Sequence, residues 1–390
     1  MTPFPVRSAA LTLALGAGVA MVDAPWSQFP ELGSLLIIGL LSFQPRTQRI
    51  AAPLLVLLLT CWLGLTTLWS LNPTGTVKAL IRTGLLLAAA AMLTSTRRHR
   101  DVVIPLALGT SILCLLALLW LALFPAVATS PDGLKGMMPQ NNSMAYVAAV
   151  ALISALFAQE LPRPLRIALI LLDTLTLVLT LSMTSWLAVI AATLTASMVI
   201  GLRRFSLRLR AAIGLLLAGV MATLGYLLVF VPVATLVGRD ATLTGRTDIW
   251  PEILQIANQR WLTGWGHGAP WLPGSWIREW CQYHFTFHMI SAHNALLETY
   301  LQLGLVGVSL VCLLWAAGLL RIIGAVWRSG RGGWLLALAL FQLIHGMAEA
   351  TQLAPLGWLI AGLVWLSPSA ATMPLGGPAR PPAPLRRKLD

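Results

Sequence analysis

The sequence predicts an all-α protein: a polytopic transmembrane helical bundle of about twelve spans with one large loop on its outer side. Three observations lead there. First, 57% of the 390 residues are hydrophobic and only 10% are charged, giving a mean hydropathy of +0.81. No soluble domain can bury that much apolar surface, so lipid must be the solvent for most of the chain. Second, the apolar residues come in runs of about 15–25, with no alternating strand pattern. In hydrocarbon every backbone polar group must be satisfied internally, and such runs then form helices. Third, the basic residues sort to alternate connections, as they do around membrane helices.

The apolar runs centre near residues 15, 37, 62, 86, 113, 151, 174, 193, 222, 313, 341 and 361. The first carries Arg7 and no small-x-small cleavage site, so it reads as a retained span and not a secretory signal. Spans one to nine occupy residues 1–234, a loop occupies 235–290, spans ten to twelve occupy 291–368, and a tail occupies 369–390. With the N-terminus inside, segments 1–8, 44–52, 96–101, 159–166, 201–210, 321–333 and 369–390 hold 19 of the 26 Lys and Arg. The outer side keeps Lys78, Arg82, Lys135, Arg239, Arg246, Arg260 and Arg278. The net charge of +13 is therefore topology and attraction to anionic headgroups, with no nucleic-acid partner expected.

Cys61, Cys114 and Cys312 fall inside spans and Cys281 outside, so no disulfide framework is expected and Cys281 should be open to labelling from outside. The Pro- and Arg-rich "LGGPARPPAPLRRKLD" reads as a disordered inner tail. No inward segment is large enough to bind a nucleotide, so an enzyme here would take an activated substrate from the membrane.

Long loops tend to carry function, and 235–290 concentrates unusual chemistry. It holds Arg239, Arg246, Arg260 and Arg278, and Trp250, Trp261, Trp265, Trp271, Trp276 and Trp280. A single tryptophan is best read as part of the interfacial belt. Six among arginines suit sugar rings, which are apolar on one face and polar at the edge. Arginine suits a phosphate or diphosphate, which its fork of donors can grip.

"TLTGRTDIW" (242–250), "GWGHGAPW" (264–271) and "AHNALLETYLQLGLVG" (292–307) resemble the O-antigen ligase and polymerase superfamily. "LWSLNP" (68–73), "GMMPQNNSMA" (136–145) and "LTLSMTSWLA" (179–188) are similar to its exopolysaccharide, succinoglycan-type polymerase branch. The resemblance implies a GT-C-like, metal-independent glycosyltransferase of the bacterial inner membrane, with a periplasmic loop, cytoplasmic termini and no cofactor. Its donor would be a glycan on undecaprenyl diphosphate. The acceptor would be a second lipid-linked repeat unit for a polymerase, or lipid A core for a ligase. By family position His293 would be the general base, with Asn294 orienting it or the acceptor, and Arg246 would bind the donor diphosphate. A histidine near its ordinary pKa of ~6.5 can take a hydroxyl proton at neutral pH, and a fixed guanidinium stabilises a departing diphosphate. Trp250, Trp265, Trp271, Asn142 and Glu349 are the candidate sugar and cavity residues. Many family members carry a cation where this chain reads Met183, Thr184 and Ser185; Arg239 and Arg82, the latter read as one turn into the fourth span, are the candidate replacements.

Other readings compete at each position. His293 could simply open a helix with Ser291 as cap. Gly304 and Gly307 read as close-packing points between helices, and Asn141 and Asn142 as a turn. Cys281, His284 and His288 have a spacing that could hold a metal but lack a fourth ligand, so no metal is expected. His345 and Glu349 share a helical face at i, i+4 near the outer end of span eleven, where they could close the cavity floor. Asp173 lies deep in a span, where protonation or pairing would neutralise it. A transporter or flippase is the rival class. It would place its ionisable groups near the bilayer midplane, often in two related halves, whereas here the polar residues gather on one outer loop.

Overall fold

The computed structural model describes residues 54–94, 100–206, scattered positions from 208 to 223, 246–285, 289–330 and 332–367. The spans expected near residues 15 and 37, most of the one near 222, the tail 369–390 and Arg239 lie outside these residues.

The regular structure of the described residues is helical apart from a hairpin of two two-residue strands. Helices α1 (Leu54–Leu65), α2 (Pro73–Thr94), α3 (Arg100–Leu123) and the short α4 (Pro125–Ala128) come first. Strands β1 (Thr129–Ser130) and β2 (Gly133–Leu134) then pair antiparallel, Thr129 opposite Leu134. Next come α5 (Asn141–Phe157), α6 (Arg163–Leu179), α7 (Met183–Leu202), α8 (Arg246–Asn258) and α9 (Trp276–His284). The chain closes with α10 (Ala295–Ser329), α11 (Gly333–His345) and α12 (Pro355–Trp365). Proline opens α2, α4 and α12, where its fixed φ suits the first turn and its missing N–H costs nothing.

Nine of the expected span centres fall inside described helices. Among the described residues four helices are long and apolar enough to cross a membrane: 73–94, 101–123, 183–202 and 295–329. Helices α1, α5, α11 and α12 are apolar but shorter. This is a multi-pass membrane protein. Aliphatic side chains such as Leu57 on α1, Leu171 on α6, Leu194 on α7 and Leu320 on α10 stand exposed on the bundle surface, as contact with lipid allows.

The centre is α5. Every residue from Met144 to Ala155 is buried, enclosed by α3, α6, α7 and α11. Its many alanines let those neighbours approach closely. Helix α12 is buried along its whole length between α2 and α10.

Segment 246–285 is not an open loop. Ile249, Ile253 and Ala257 of α8, Ile277 and Cys281 of α9, Met289, Ala292 and Leu301 form a second, smaller core. Helix α8 thereby packs against the start of α10.

Helix α10 is broken. Its 35 residues would run about 52 Å at 1.5 Å each, well beyond a hydrocarbon core of about 30 Å. At Gly304 the backbone leaves the helix, with φ 65° and ψ −169°. The freed groups are satisfied by segment 261–266. Trp265 N donates to Leu301 O (2.9 Å) and Gly266 N to Gln302 O (2.9 Å), while Leu305 N donates to Trp261 O (2.8 Å). Trp62 Nε1 donates to Leu303 O at 3.0 Å. A Cβ on Gly304 would fall 2.3 Å from the Leu262 backbone. Gly304 is therefore a contact with a crossing backbone segment, not the helix–helix contact the sequence suggested. Gly307 differs from that expectation too, since a Cβ there would strike Leu303 of its own helix.

Candidate active site

His293 stands immediately before α10, on the turn where the small core meets the bundle. Its φ is +49°, a left-handed conformation it shares among described non-glycine residues only with Leu181. Such a conformation costs an L-residue roughly 1–2 kcal/mol and persists where the surroundings over-determine it. They do so here. Trp250 Nε1 donates to Ala292 O (3.0 Å) and Ala292 N donates to the Glu298 carboxylate (2.6 Å). Asn294 caps α10, its Oδ1 accepting from Leu297 N at 3.0 Å.

The same asparagine ties this turn to a second one. Asn294 Nδ2 donates to Met347 O (2.9 Å), and Ala295 N donates to Gly346 O (2.8 Å). Helix α11 has ended at His345, and residues 346–350 form a turn that carries Glu349. Glu349 Oε2 lies 3.0 Å from His293 Nδ1, and its Oε1 accepts from Asn142 Nδ2, at the start of α5, at 2.6 Å. A carboxylate only accepts, so Nδ1 carries the proton and Nε2 presents its lone pair. The histidine side chain is 14% exposed against 3% for Glu349, and Nε2 has no hydrogen-bond partner among the described residues. The arrangement is a held imidazole with one nitrogen free to take a proton.

The structure thus brings together His293, Glu349 and Asn142, with Asn294 and Trp250 fixing the backbone around them. Both polar groups of Asn294 are engaged in capping and tethering, so it acts on the position of His293. Trp271 sits one link away, its Nε1 donating to Glu298 Oε1 at 2.6 Å. Trp265 is placed elsewhere. It is buried in the small core, with Nε1 bonded to Ile256 O at 3.0 Å and the Arg260 guanidinium 4.4 Å from its ring centre. Arg246 opens α8 one helical turn before Trp250, and its side chain lies outside the description. Arg82 is the tenth residue of α2, in mid-helix and half-buried, and not one turn in as the sequence suggested.

Two further expectations change. Cys281 is fully buried, and burial together with the nearby Glu298 charge pushes its thiol up to about 12, so it is not an open labelling target. His345 and Glu349 do not share a helix face. Glu349 N still bonds His345 O (3.0 Å), but the His345 ring turns away to Ser185 Oγ (3.0 Å) and Thr351 Oγ1 (3.0 Å). The start of α7, where Met183, Thr184 and Ser185 offer no cation, thus meets an imidazole.

Sequence reading missed the Glu298 network. Gln302 Nε2 donates to Glu298 Oε1 (2.7 Å), and Gly268 N donates to Gln302 Oε1 (2.7 Å). His267 Nδ1 also approaches that oxygen (3.3 Å), while its Nε2 meets Thr83 Oγ1 of α2 (3.1 Å). Burial pulls His267 down to about 4, so it is neutral at neutral pH. The signal was present: Glu298 and Gln302 stand four residues apart on an apolar helix, where charge and amide need partners. Among the described residues no group of three or more His, Cys, Asp or Glu is arranged to hold a metal.

Residues 167–312 match the sequence model of a family described as O-antigen ligase. That segment is similar to the O-antigen ligase family. It contains Arg246, Trp250, Trp271, His293 and Asn294, whereas Asn142 and Glu349 lie outside it. The chain is also similar to the exopolysaccharide production protein ExoQ of Rhizobium meliloti (strain 1021), with 34% identity over 80 residues. That stretch spans 19% of this chain and 18% of ExoQ. Both likenesses support the O-antigen ligase/polymerase superfamily, on the ExoQ-like branch.

Proposed function

We propose that the protein is a glycosyltransferase of polysaccharide assembly, joining undecaprenyl-diphosphate-linked repeat units at the periplasmic face of the bacterial inner membrane. The observation that carries this reading is His293 held through Nδ1 by Glu349, with Nε2 open, inside a segment similar to the O-antigen ligase family. Nε2 takes the proton of an acceptor sugar hydroxyl as its oxygen bonds to the donor's anomeric carbon. The bond from that carbon to the diphosphate breaks, and the lipid diphosphate leaves with the electron pair. Glu349 stabilises the imidazolium so formed. Arg246, with Arg239 and Arg82, grips the diphosphate, and the faces of Trp250 and Trp271 border the sugars. The sugar is already activated as a diphosphate ester, so the step requires no nucleotide, and the arginines take the diphosphate charge in place of a metal.

A ligase reading, with lipid A core as acceptor, is favoured by the description of the matching family. Purified protein incubated with lipid-linked repeat units, chelator and no nucleotide separates the two. A ladder of multiples of the repeat unit supports the polymerase, and transfer only when lipid A core is added supports the ligase. In either assay Arg246→Lys should fail, because a point charge does not replace a planar bidentate fork. Absence of transfer to either acceptor, or full activity of Arg246→Ala, would contradict the scheme.

A further inference from the structure

The strained turn at His293 needs something to hold it, and the residue best built for that is not in the catalytic pair. Glu298 lies on the first turn of α10, is 2% exposed, and receives three hydrogen bonds. Oε2 takes the N–H of Ala292, the residue before His293, at 2.6 Å. Oε1 takes Trp271 Nε1 at 2.6 Å and Gln302 Nε2 at 2.7 Å. One oxygen faces the catalytic turn and the other faces the segment 264–271 and the break in α10. All three partners are donors, and a carboxylate is the side chain that can accept from all of them. Burial opposes the ionised form of Glu298, and these three donors favour it.

The carbonyl of the same Ala292 residue is held from the other side by Trp250 Nε1 (3.0 Å). Ala292 is thus gripped at its N–H by α10 and at its C=O by α8. With both fixed, the chain turns at His293 through its positive φ and delivers Nδ1 to Glu349.

We propose that Glu298 is a positioning residue for the transfer reaction: by holding the Ala292 amide it keeps His293 in its left-handed turn, with Nδ1 on Glu349 and Nε2 open. The inference rests on the role of His293 given under Proposed function, but it concerns a residue outside the His293–Glu349 pair. Glu298→Gln keeps the size of the side chain and replaces one acceptor oxygen by a donor. That donor must face the Ala292 amide or the Trp271–Gln302 pair, and either choice loosens the turn.

The test compares purified wild type, Glu298→Gln, Trp250→Phe and His293→Ala in chain elongation on lipid-linked repeat units. Peptide-level hydrogen exchange over 289–295 is measured in parallel. A displacement of about 1 Å at a reacting group can cost about 100-fold in rate. Glu298→Gln should therefore lose about 10–100-fold in kcat, keep KM within about 3-fold, and exchange faster over 289–295. Trp250→Phe, which frees the Ala292 carbonyl, should exchange faster over 289–295 and lower kcat to a smaller degree, and unchanged exchange there overturns the role if Glu298→Gln does not accumulate. Unchanged kcat in the folded variant, or a raised KM at constant kcat, overturns the positioning role while leaving the base intact. An active His293→Ala would instead overturn the reading of the site itself.

Discussion

A histidine at positive φ trades a small conformational penalty for a fixed direction of its ring. Fixing matters because a general base contributes about 10²–10⁴-fold only when it lies within hydrogen-bond reach of the proton it takes. Glu349→Gln removes the charge that holds the tautomer and stabilises the imidazolium. The corresponding loss in a carboxylate–histidine pair can reach about 10⁴-fold. A fall in kcat of roughly 10²-fold or more is expected, with the protein present at normal abundance in the membrane. Asn294→Ala should behave differently. It deletes a helix cap worth about 1 kcal/mol and one tie to residue 347, so thermal stability should drop measurably while the rate falls less than about tenfold. Equal rate losses in the two variants would erase the distinction between chemical and positioning residues. His293, Glu349 and Asn142 were each legible in the sequence. Their meeting was not, because Glu349 lies 56 residues from His293 and 207 from Asn142. Trp265 shows the opposite failure: an indole near arginines looks like a sugar platform until burial and the Ile256 carbonyl are seen to occupy it.

The break in α10 separates the short segment that carries the proposed catalytic turn from the long apolar helix behind it. Residues 295–303 form a short pedestal for His293, and the 25 residues from 305 to 329 still provide about 37 Å of helix. Gly304→Ala would place a methyl 2.3 Å from backbone atoms of Leu262, in a left-handed conformation as well. Membrane abundance of this variant should fall sharply. Gly84→Ala on α2 meets no atom within 4 Å and should leave abundance unchanged or raise it, since alanine favours a helix by about 1 kcal/mol. Quantitative immunoblotting of membranes checks both, and a Gly304→Ala protein as abundant as wild type would remove the argument for the break. The sequence hid this feature because apolar residues resume on both sides of Gln302 and Gly304, and a single glycine in an apolar helix reads first as a packing position. Helix α8 was more legible than a loop assignment allowed: Ile249, Ile253 and Ile256 repeat at helical spacing.

At the scale of the whole molecule, hydrophobic runs and the asymmetry of cations specify a multi-pass membrane protein. They leave the second core invisible, because it is assembled from residues too short-range and too mixed in polarity to resemble a span. Orientation can be tested on exposed positions in place of the buried Cys281. In a background lacking Cys61 and Cys312, Gln259→Cys should react with an impermeant maleimide in intact cells, and Arg204→Cys should react only after lysis. Reversed labelling would invert the topology and move His293 to the wrong face. The central claim is that an imidazole fixed by a carboxylate drives transfer from a lipid diphosphate. Its most direct test is the initial rate of glycosidic bond formation by purified wild type and His293→Ala, with lipid-linked repeat units and chelator. The account predicts a fall of about 10²–10⁴-fold in a folded, membrane-stable variant; a rate within a few-fold of wild type would contradict it.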